Sequence, residues 1–221
     1  MINICTDELK DLDLTININK SVCVRFGSRF KNVCSQVSIG GTVIPWSTSF
    51  TYLGIVFNSG SKMSIDFKTS RSKFFRSFNS IFSKIHQANE AVIVSLIKSH
   101  CIPVLVYGLE ALDLNNTSLR SLDNPLVLAF GKIFKTYDKI ILNNCMYHFE
   151  VLPMRFEYLY RKGKFLTKLY KSENSLLRKL YGVFATGEIN NIYSGLGIVG
   201  RRSNRELQNK LWKQFECQLQ V

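Results

Sequence analysis

The hydrophobic pattern of this chain changes its period near residue 65, and that change limits the folds open to it. Before it, residues 21–26 alternate apolar and polar side chains with the two-residue period of a β-strand. From Ile65 onward the apolar side chains recur at helical spacing instead. The residues on this first helical face are Phe67, Phe74, Phe78, Ile81, Phe82 and Ile85. Strands followed by helices, rather than strands alternating with helices, predict an α+β fold.

The first 61 residues predict a small domain of strands and one helix. Residues 3–12 have the apolar spacing of a short helix. Residues 51–57 are rich in the aromatic and β-branched side chains that favour a strand. The Gly40-Gly41 pair separates two further short strand segments, and such a pair is typical of a tight hairpin.

The remainder of the chain predicts helices. Residues 62–138 contain three or four amphipathic segments with short connections, which is the pattern of a compact bundle, and we expect this helical domain to span residues 62–152. Residues 153–221 predict a basic helical extension that ends in an amphipathic helix. Within it, residues 187–200 hold four glycines and few periodic apolar positions, so this stretch predicts a loop. We therefore expect three domains, with boundaries after residues 61 and 152.

The charge of the chain is strongly basic and unevenly distributed. Its 29 Lys and Arg residues exceed its 16 Asp and Glu residues by 13. Residues 58–100 carry seven basic and two acidic side chains, and residues 151–221 carry thirteen and five. An excess of this kind favours a polyanionic partner, either nucleic acid or an anionic membrane surface.

The cysteines and the apolar stretches predict an intracellular protein of the nucleus or cytoplasm. The six cysteines show no C-x-x-C spacing, as expected of reduced thiols inside a cell. The start of the chain lacks the basic and apolar regions of a secretory signal, so secretion is not expected. The longest apolar stretch, residues 101–109, is too short for a membrane span and contains Pro103.

Three motifs occur in a characteristic order along the chain. The first is DLTININKS at residues 13–21, and the second is FTYLGIV at residues 50–56. The third, IPVLVYGLE, occupies residues 102–110. Together they resemble the lysine motif, the Tyr-Leu-Gly primer-grip region and the thumb helix of reverse transcriptases from non-LTR retrotransposons. The resemblance covers residues 1–138 and implies a palm-like β remnant followed by a helical thumb bundle.

The resemblance implies roles for two short segments of the palm-like part. Lys20 would lie near the phosphates of the incoming nucleotide, where an ammonium group neutralises or protonates the departing pyrophosphate. The alternative for Lys20 is a solvated turn lysine. Tyr52 and Gly54 would form the primer grip, because glycine allows the primer backbone to approach closely. The alternative for Tyr52 is an ordinary aromatic side chain in a β-core.

Basic side chains provide the other candidate contacts to nucleic acid. The thumb candidates are Lys68, Arg71, Lys73 and Arg76. At 100° per residue all of them except Arg71 project away from the apolar face. The candidates in the extension interleave with aromatic side chains and are Arg161, Lys162, Lys164 and Lys168. Alternating basic and aromatic side chains suit nucleic acid through charge and stacking, and the alternative for both groups is a solvated basic face.

No metal site is expected in this chain. In the family it resembles, paired aspartates that hold two Mg²⁺ ions precede the short helix with which residues 3–12 correspond. The sequence contains no such strand-turn-strand pair, and Asp11 and Asp13 close a helix instead. We therefore expect no cofactor here and a requirement for Mg²⁺ only in an intact polymerase, where metal ions align the reacting groups.

The expected function follows from the resemblance and the charge. The chain is expected to be the C-terminal part of an RNA-directed DNA polymerase that binds template–primer, such as an RNA–DNA hybrid, without polymerising by itself. No small-molecule substrate is expected for the isolated chain. The alternatives are a domesticated nucleic-acid-binding module without enzymatic activity and a non-functional remnant of a retroelement.

Overall fold

A computed structural model describes residues 2–198 and 203–219 of the chain. The chain forms two compact units, Met1–Thr69 and Ser70–Val221. The first unit holds one α-helix and two small antiparallel sheets, and the second is helical throughout its described residues. The predicted α+β class is therefore confirmed. The chain divides into units after Thr69, whereas the sequence predicts three domains with boundaries after residues 61 and 152.

The first unit begins with helix α1, Ile2–Lys10, as the apolar spacing predicts. The first sheet is a hairpin of β1, Val37–Ile39, and β2, Thr42–Ile44. Gly40 and Gly41 form its turn, with φ angles of 57° and 83° that glycine adopts readily. The glycine-pair hairpin is therefore confirmed.

The second sheet contains three strands and corrects the prediction of one continuous strand over residues 51–57. β3, Ser49–Tyr52, pairs with β4, Ile55–Asn58, and β4 pairs with β5, Ser64–Asp66. Leu53 and Gly54 have φ angles of 48° and 82° and form a two-residue turn between β3 and β4. Positive φ at both central residues gives a turn whose twist matches a hairpin, so the chain reverses where the sequence pattern is uninterrupted.

Residues 21–26 do not form the predicted strand. Cys23 and Phe26 make only isolated parallel bridges, to Trp46 and Gly60. Cys23 donates its N–H to the carbonyl of Pro45 over 2.9 Å. The segment is extended, but it contacts a different part of the unit at each end and therefore joins no ladder.

Helices account for most of the second unit. Asparagine or aspartate caps begin several of them, with Asn89, Asn115, Asp138 and Asn174 each accepting backbone N–H bonds. The helices are α2 (Lys68–Ile85), α3 (Glu90–His100), α4 (Ile102–Leu105), α5 (Asn116–Phe134), α6 (Lys139–His148), α7 (Met154–Tyr170), α8 (Ser175–Leu180), α9 (Thr186–Gly195) and α10 (Asn204–Leu219).

Helix α7 lies at the centre of this unit and packs against helices on both sides of the boundary predicted after residue 152. It packs against α5, α9 and α10, and α10 also packs against α6. Phe156 of α7 and Phe215 of α10 are buried, with ring centroids 5.7 Å apart. Helices α7, α9 and α10 therefore contribute to the core of the helical unit instead of forming an extension to it.

The loop predicted for residues 187–200 is also corrected. A π-helical turn, Tyr181–Ala185, joins α8 to α9, so the chain is helical from residue 175 to residue 195. Every fourth side chain from Tyr181 onward is buried: Tyr181, Ala185, Ile189 and Tyr193. This apolar stripe stabilises the helix despite its glycines, since burial outweighs a cost of about 1 kcal/mol per glycine. Val199 and Gly200 lie outside the described residues.

Within the described residues, one stretch is long and apolar enough to cross a membrane, Glu90–Ala111. It comprises α3, α4 and a short 3-10 turn rather than one uninterrupted helix. Ile93, Ile97 and Leu105 on this stretch are buried inside the helical unit. Core helices of folded domains pass the same test of length and composition, so the stretch is weak evidence for a span.

The first turn of α7 is held by a side chain from α5. The Asp123 carboxylate accepts the backbone N–H of Met154 over 2.7 Å, where α7 has no side-chain cap of its own. Burial raises the pKa of Asp123 above its ordinary value, although the Met154 N–H and the positive charge of Lys139 both lower it. The folded protein therefore disfavours the charged form of this carboxyl group relative to the unfolded chain.

Replacing Asp123→Asn should raise the free energy of unfolding at pH 7, because the amide oxygen still accepts the Met154 N–H without a buried charge. The raised pKa sets the sign of the pH dependence. In the native chain, the stabilising contribution of the Asp123 carboxyl is present below the ordinary pKa of aspartate, about 3.9. It is lost as the pH rises through the pKa that this group has in the folded protein. In urea unfolding from pH 3.5 to 7.5, Asp123→Asn should have a higher free energy of unfolding than the native chain at neutral pH, and this difference should disappear in acid.

The matched control is Asp113→Asn, which removes the same charge at an exposed position. We expect this variant to show no comparable gain in the free energy of unfolding at pH 7. An Asp123→Asn gain that persists unchanged at pH 3.5 would contradict the assignment of the effect to ionisation.

Replacing Phe215→Ala should lower the free energy of unfolding of the helical unit by about 3–5 kcal/mol, the usual cost of removing a core phenylalanine. Urea unfolding followed by circular dichroism measures the effect. Gln214→Ala, at the exposed neighbouring position, should change stability by less than about 0.5 kcal/mol. A Phe215→Ala variant as stable as the control would indicate that α10 is not part of this core and would favour the predicted independent extension from residue 153 onward.

Candidate nucleic-acid interface

Helix α2 separates an apolar face from a basic face. Phe74 and Phe78 are buried, whereas Lys68, Lys73 and Arg76 are exposed. The 18 residues of the helix include five basic residues and no acidic one. The exposed face is therefore positive without a compensating charge on the same helix, as the sequence predicts.

Aromatic packing fixes the rotation of α2 about its axis. The rings of Phe74, Phe78 and Phe82 follow one another with centroid separations of 6.3 and 5.4 Å. The ammonium of Lys132, on α5, lies 5.7 Å from the Phe78 ring centroid and 4.9 Å from that of Phe82. These cation–π contacts hold the aromatic face against α5, which leaves the basic face towards solvent.

Arg71 does not share the exposure of its basic neighbours. It is half-buried, and its Nε atom is enclosed without a hydrogen-bond partner among the described residues. Its position within the apolar arc of α2 explains this placement. The structure therefore groups Lys68, Lys73 and Arg76 and leaves Arg71 apart from them.

The four basic candidates of α7 have three different environments. Arg161 donates from Nε to the Glu157 carboxylate over 2.6 Å, so its charge is paired one turn away. Lys164 and Lys168 are exposed and have no ion pair within the described part of the chain. Only these two of the four remain available to a polyanion outside the protein.

Lys162, which the sequence predicts to bind nucleic acid, is instead buried in the helical unit. It is only 5% exposed. Its ammonium donates to the carbonyl oxygen of Leu112 over 2.8 Å and lies 3.0 Å from the Glu188 carboxylate. At 100° per residue it lies on the opposite side of α7 from Lys164, so the helix turns it into the core.

The same polar cluster includes a buried tyrosine. The Tyr158 hydroxyl donates to the Leu112 carbonyl over 3.0 Å and accepts the Leu114 N–H over 3.4 Å. Burial raises the pKa of Tyr158, so it keeps its proton. Glu188, the partner of Lys162, lies in the stretch predicted to be a loop, and no sequence signal links the two residues.

The candidates of the first unit lie at turns. Lys20 ends a 3-10 turn capped by Asn17 and is exposed. Tyr52 and Gly54 flank the strained Leu53 at the β3–β4 turn, and Tyr52 is 63% exposed. Tyr52 is therefore not the β-core aromatic of the alternative interpretation. It lies exposed beside a hairpin turn.

The described residues include no group of three or more His, Cys, Asp and Glu side chains that would suit a metal ion. Asp11 and Asp13 are exposed at the end of α1. The described side chains thus do not fit the two-metal site of a polymerase, and we assign them no step that uses Mg²⁺.

Comparisons of the chain with models of protein families, with curated proteins and with solved structures find no match.

Replacing Lys162→Met should lower the free energy of unfolding by about 1.5–3 kcal/mol, the usual contribution of a hydrogen bond to a charged group. It also leaves Glu188 without its cation. Nucleic-acid affinity of the folded protein should stay unchanged, because Lys162 faces the core. Urea unfolding and fluorescence anisotropy with a labelled oligonucleotide measure the two effects separately.

The matched control is Lys164→Gln on the exposed side of the same helix. We expect it to leave stability within about 0.5 kcal/mol and to weaken binding modestly. A Lys162→Met protein that is stable but binds poorly would return Lys162 to the interface.

Proposed function

We propose that this chain binds template–primer nucleic acid through the exposed basic face of α2, as the thumb of a reverse transcriptase of the non-LTR retrotransposon type does. The observation that carries the proposal is the composition of α2. Lys68, Lys73 and Arg76 are exposed opposite a buried aromatic face, and no acidic residue shares the helix. A helical face of this kind attracts phosphates without internal neutralisation.

The uncharged residues of that face support the same chemistry. Hydroxyl and amide side chains lie among its cations, and they are Thr69, Ser72, Asn79, Ser80 and Ser83. Such groups commonly donate hydrogen bonds to phosphate oxygens. Lys68 and Arg76 are eight residues apart, which corresponds to about 12 Å along a helix. The face is thus long enough to contact more than one phosphate along a strand.

Helix α7 supports contact with nucleic acid through a second set of side chains. Lys164 and Lys168 are exposed, and so are the aromatic rings of Phe165 and Tyr170. Exposed rings beside cations suit unpaired bases, because every base has a face that stacks on an aromatic ring. We assign this group a supporting role, since it contributes two free cations and α2 contributes four exposed ones, Lys84 in addition to Lys68, Lys73 and Arg76.

The first unit carries the motifs at residues 13–21 and 50–56, which resemble the palm of such an enzyme. As the late palm of such an enzyme, it would present Lys20 towards a nucleotide phosphate and the β3–β4 turn towards the primer. The exposure of Lys20 and of the Tyr52–Gly54 turn is compatible with these contacts. Polymerisation is not proposed for this chain.

Replacing Lys68, Lys73 and Arg76 together with Gln should weaken binding to an RNA–DNA hybrid and reduce the slope of log K against log salt by about 2–3 units. Each phosphate contact that is lost reduces the number of counterions released from the nucleic acid on binding. Fluorescence anisotropy at several salt concentrations measures the slope. Helix content by circular dichroism should not change, because the three side chains lie off the apolar face.

The matched control removes three exposed charges from other helices, as Arg120→Gln, Lys139→Gln and Lys213→Gln. Both triple variants lose the same net charge, so a larger change of slope in the α2 variant identifies a local contact. Equal slopes would reduce the α2 face to a solvated surface. The native chain is also titrated with a single strand. If the α2 variant loses salt slope as expected but the native chain binds hybrid no more tightly than single strand, the alternative is favoured, a nucleic-acid-binding module that is not a thumb.

A further inference from the structure

The first unit contains a long stretch free of negative charge. From Leu14 to Ile65 the sequence has no Asp or Glu, while it has Lys20, Arg25, Arg29, Lys31 and Lys62. Three of these five cations fall within residues 25–33, which form a looped segment. This loop lines a cavity of about 590 Å³.

Arg25 is fixed in place at this cavity. Its Nη1 atom donates to the carbonyl oxygens of Arg29 and Asn32, each over 3.3 Å. Its guanidinium carbon lies 5.7 Å from the centroid of the Trp46 ring. An arginine has five N–H donors, so the Nε–H and both Nη2–H groups remain without a partner within the described residues. This is a preorganised guanidinium with three of its five N–H donors still free.

The other polar side chains around the cavity also donate. Ser28, Arg29 and Asn32 line it, and their side chains make no hydrogen bond or ion pair within the described part of the chain. A guanidinium, a hydroxyl and an amide N–H₂ are all donors, and no carboxylate lines the cavity. The lining therefore suits a ligand that is anionic and rich in acceptors.

The backbone of the loop is anchored to the neighbouring segment. The Ser59 hydroxyl donates to the Arg25 carbonyl over 2.6 Å, and Gly27 donates its N–H to the Gly60 carbonyl over 3.0 Å. Gly27 has a φ of 106°, which a residue with a side chain adopts only under strain. The donors are thus held on a turn that is already formed before a ligand arrives.

We propose that the cavity of residues 25–33 binds a phosphate group. Several donors converging on tetrahedral oxygens, with a fixed arginine among them, are what phosphate recognition requires. Phe26 also lines the cavity and is 41% exposed, so a base attached to the phosphate can stack on its ring. The expected source is a nucleic-acid strand, and only this choice of source rests on the proposed function. A free nucleotide or inorganic phosphate supplies the same chemistry.

The test uses the full chain and records the backbone amide resonances of Gly27, Ser28 and Arg29 by nuclear magnetic resonance. Three probes are titrated separately: inorganic phosphate, adenosine 5′-triphosphate and an eight-nucleotide single strand. We expect saturable shifts of these amides. Arg29→Gln should weaken the binding about tenfold, as the loss of a charge-assisted hydrogen bond predicts.

The matched control is Lys31→Gln, which removes the same charge from the same loop. Lys31 does not line the cavity, and its ammonium lies 5.6 Å from the centroid of the Phe30 ring. We expect less than a twofold change in this variant. Equal losses in the two variants would replace a phosphate site with a general attraction to the loop, which would overturn the proposal.

The probes separate the sources. Tighter binding of the oligonucleotide than of the other two supports a nucleic-acid strand, while equal binding of all three supports the phosphate site with a free phosphate as its source. Absence of amide shifts with every probe overturns the proposal. The α2 variant with three Gln substitutions keeps these amide shifts if the two sites are independent, so failure of the cavity and failure of the α2 face give different results.

Discussion

The buried ammonium of Lys162 is the interaction on which the helical unit depends. It joins three parts of the chain that are far apart in sequence: α7, the backbone at Leu112 and, through Glu188, helix α9. A buried charge is costly unless it is paired and hydrogen-bonded, and here it is both. The Tyr158 hydroxyl binds the same carbonyl oxygen, so the segment before α5 is fixed by two donors of one helix.

This internal use of charge changes how the basic composition is interpreted. Of the four basic residues between positions 161 and 168, Lys162 lies in the core and Arg161 is paired with Glu157. Lys164 and Lys168 alone face solvent without an ion pair within the described residues. Helices α2 and α7 each carry five basic residues, but α7 also carries Glu157 whereas α2 has no acidic residue, and this gives α2 the stronger surface for a polyanion. Net charge therefore overstates the contribution of α7.

The first unit stabilises itself by different means. Its two sheets are small, few of its side chains are buried, and two-residue turns join β1 to β2 and β3 to β4. Leu53 lies at an exposed hairpin tip and has a left-handed backbone conformation. This conformation costs a residue with a side chain about 1–2 kcal/mol. Strain at this tip and the free donors around Arg25 both lie in loops, so the groups of this unit that can bind a ligand lie outside its small core.

Local pattern was sufficient for the elements whose stability is local. The apolar period of α2 and the glycine pair of the first hairpin each depend on neighbours within a few residues, and the structure confirms both. The exposed face of α2 follows from the same period. These features need no knowledge of distant segments, because helical spacing and turn geometry are properties of the chain itself.

Tertiary packing decided the features that depend on distant residues. The turn at Leu53 divides an apparently continuous strand, and burial against the rest of the unit makes a helix of the glycine-containing stretch at residues 186–195. The partner of Lys162 lies 26 residues further along the chain, and the cavity at Arg25 exists only because the loop closes on Gly60. The order of residues along the chain is enough to show which segments are amphipathic and where charge is concentrated. Only the folded chain decided which of those charges are neutralised inside, because pairing depends on distances between residues that the linear pattern does not contain.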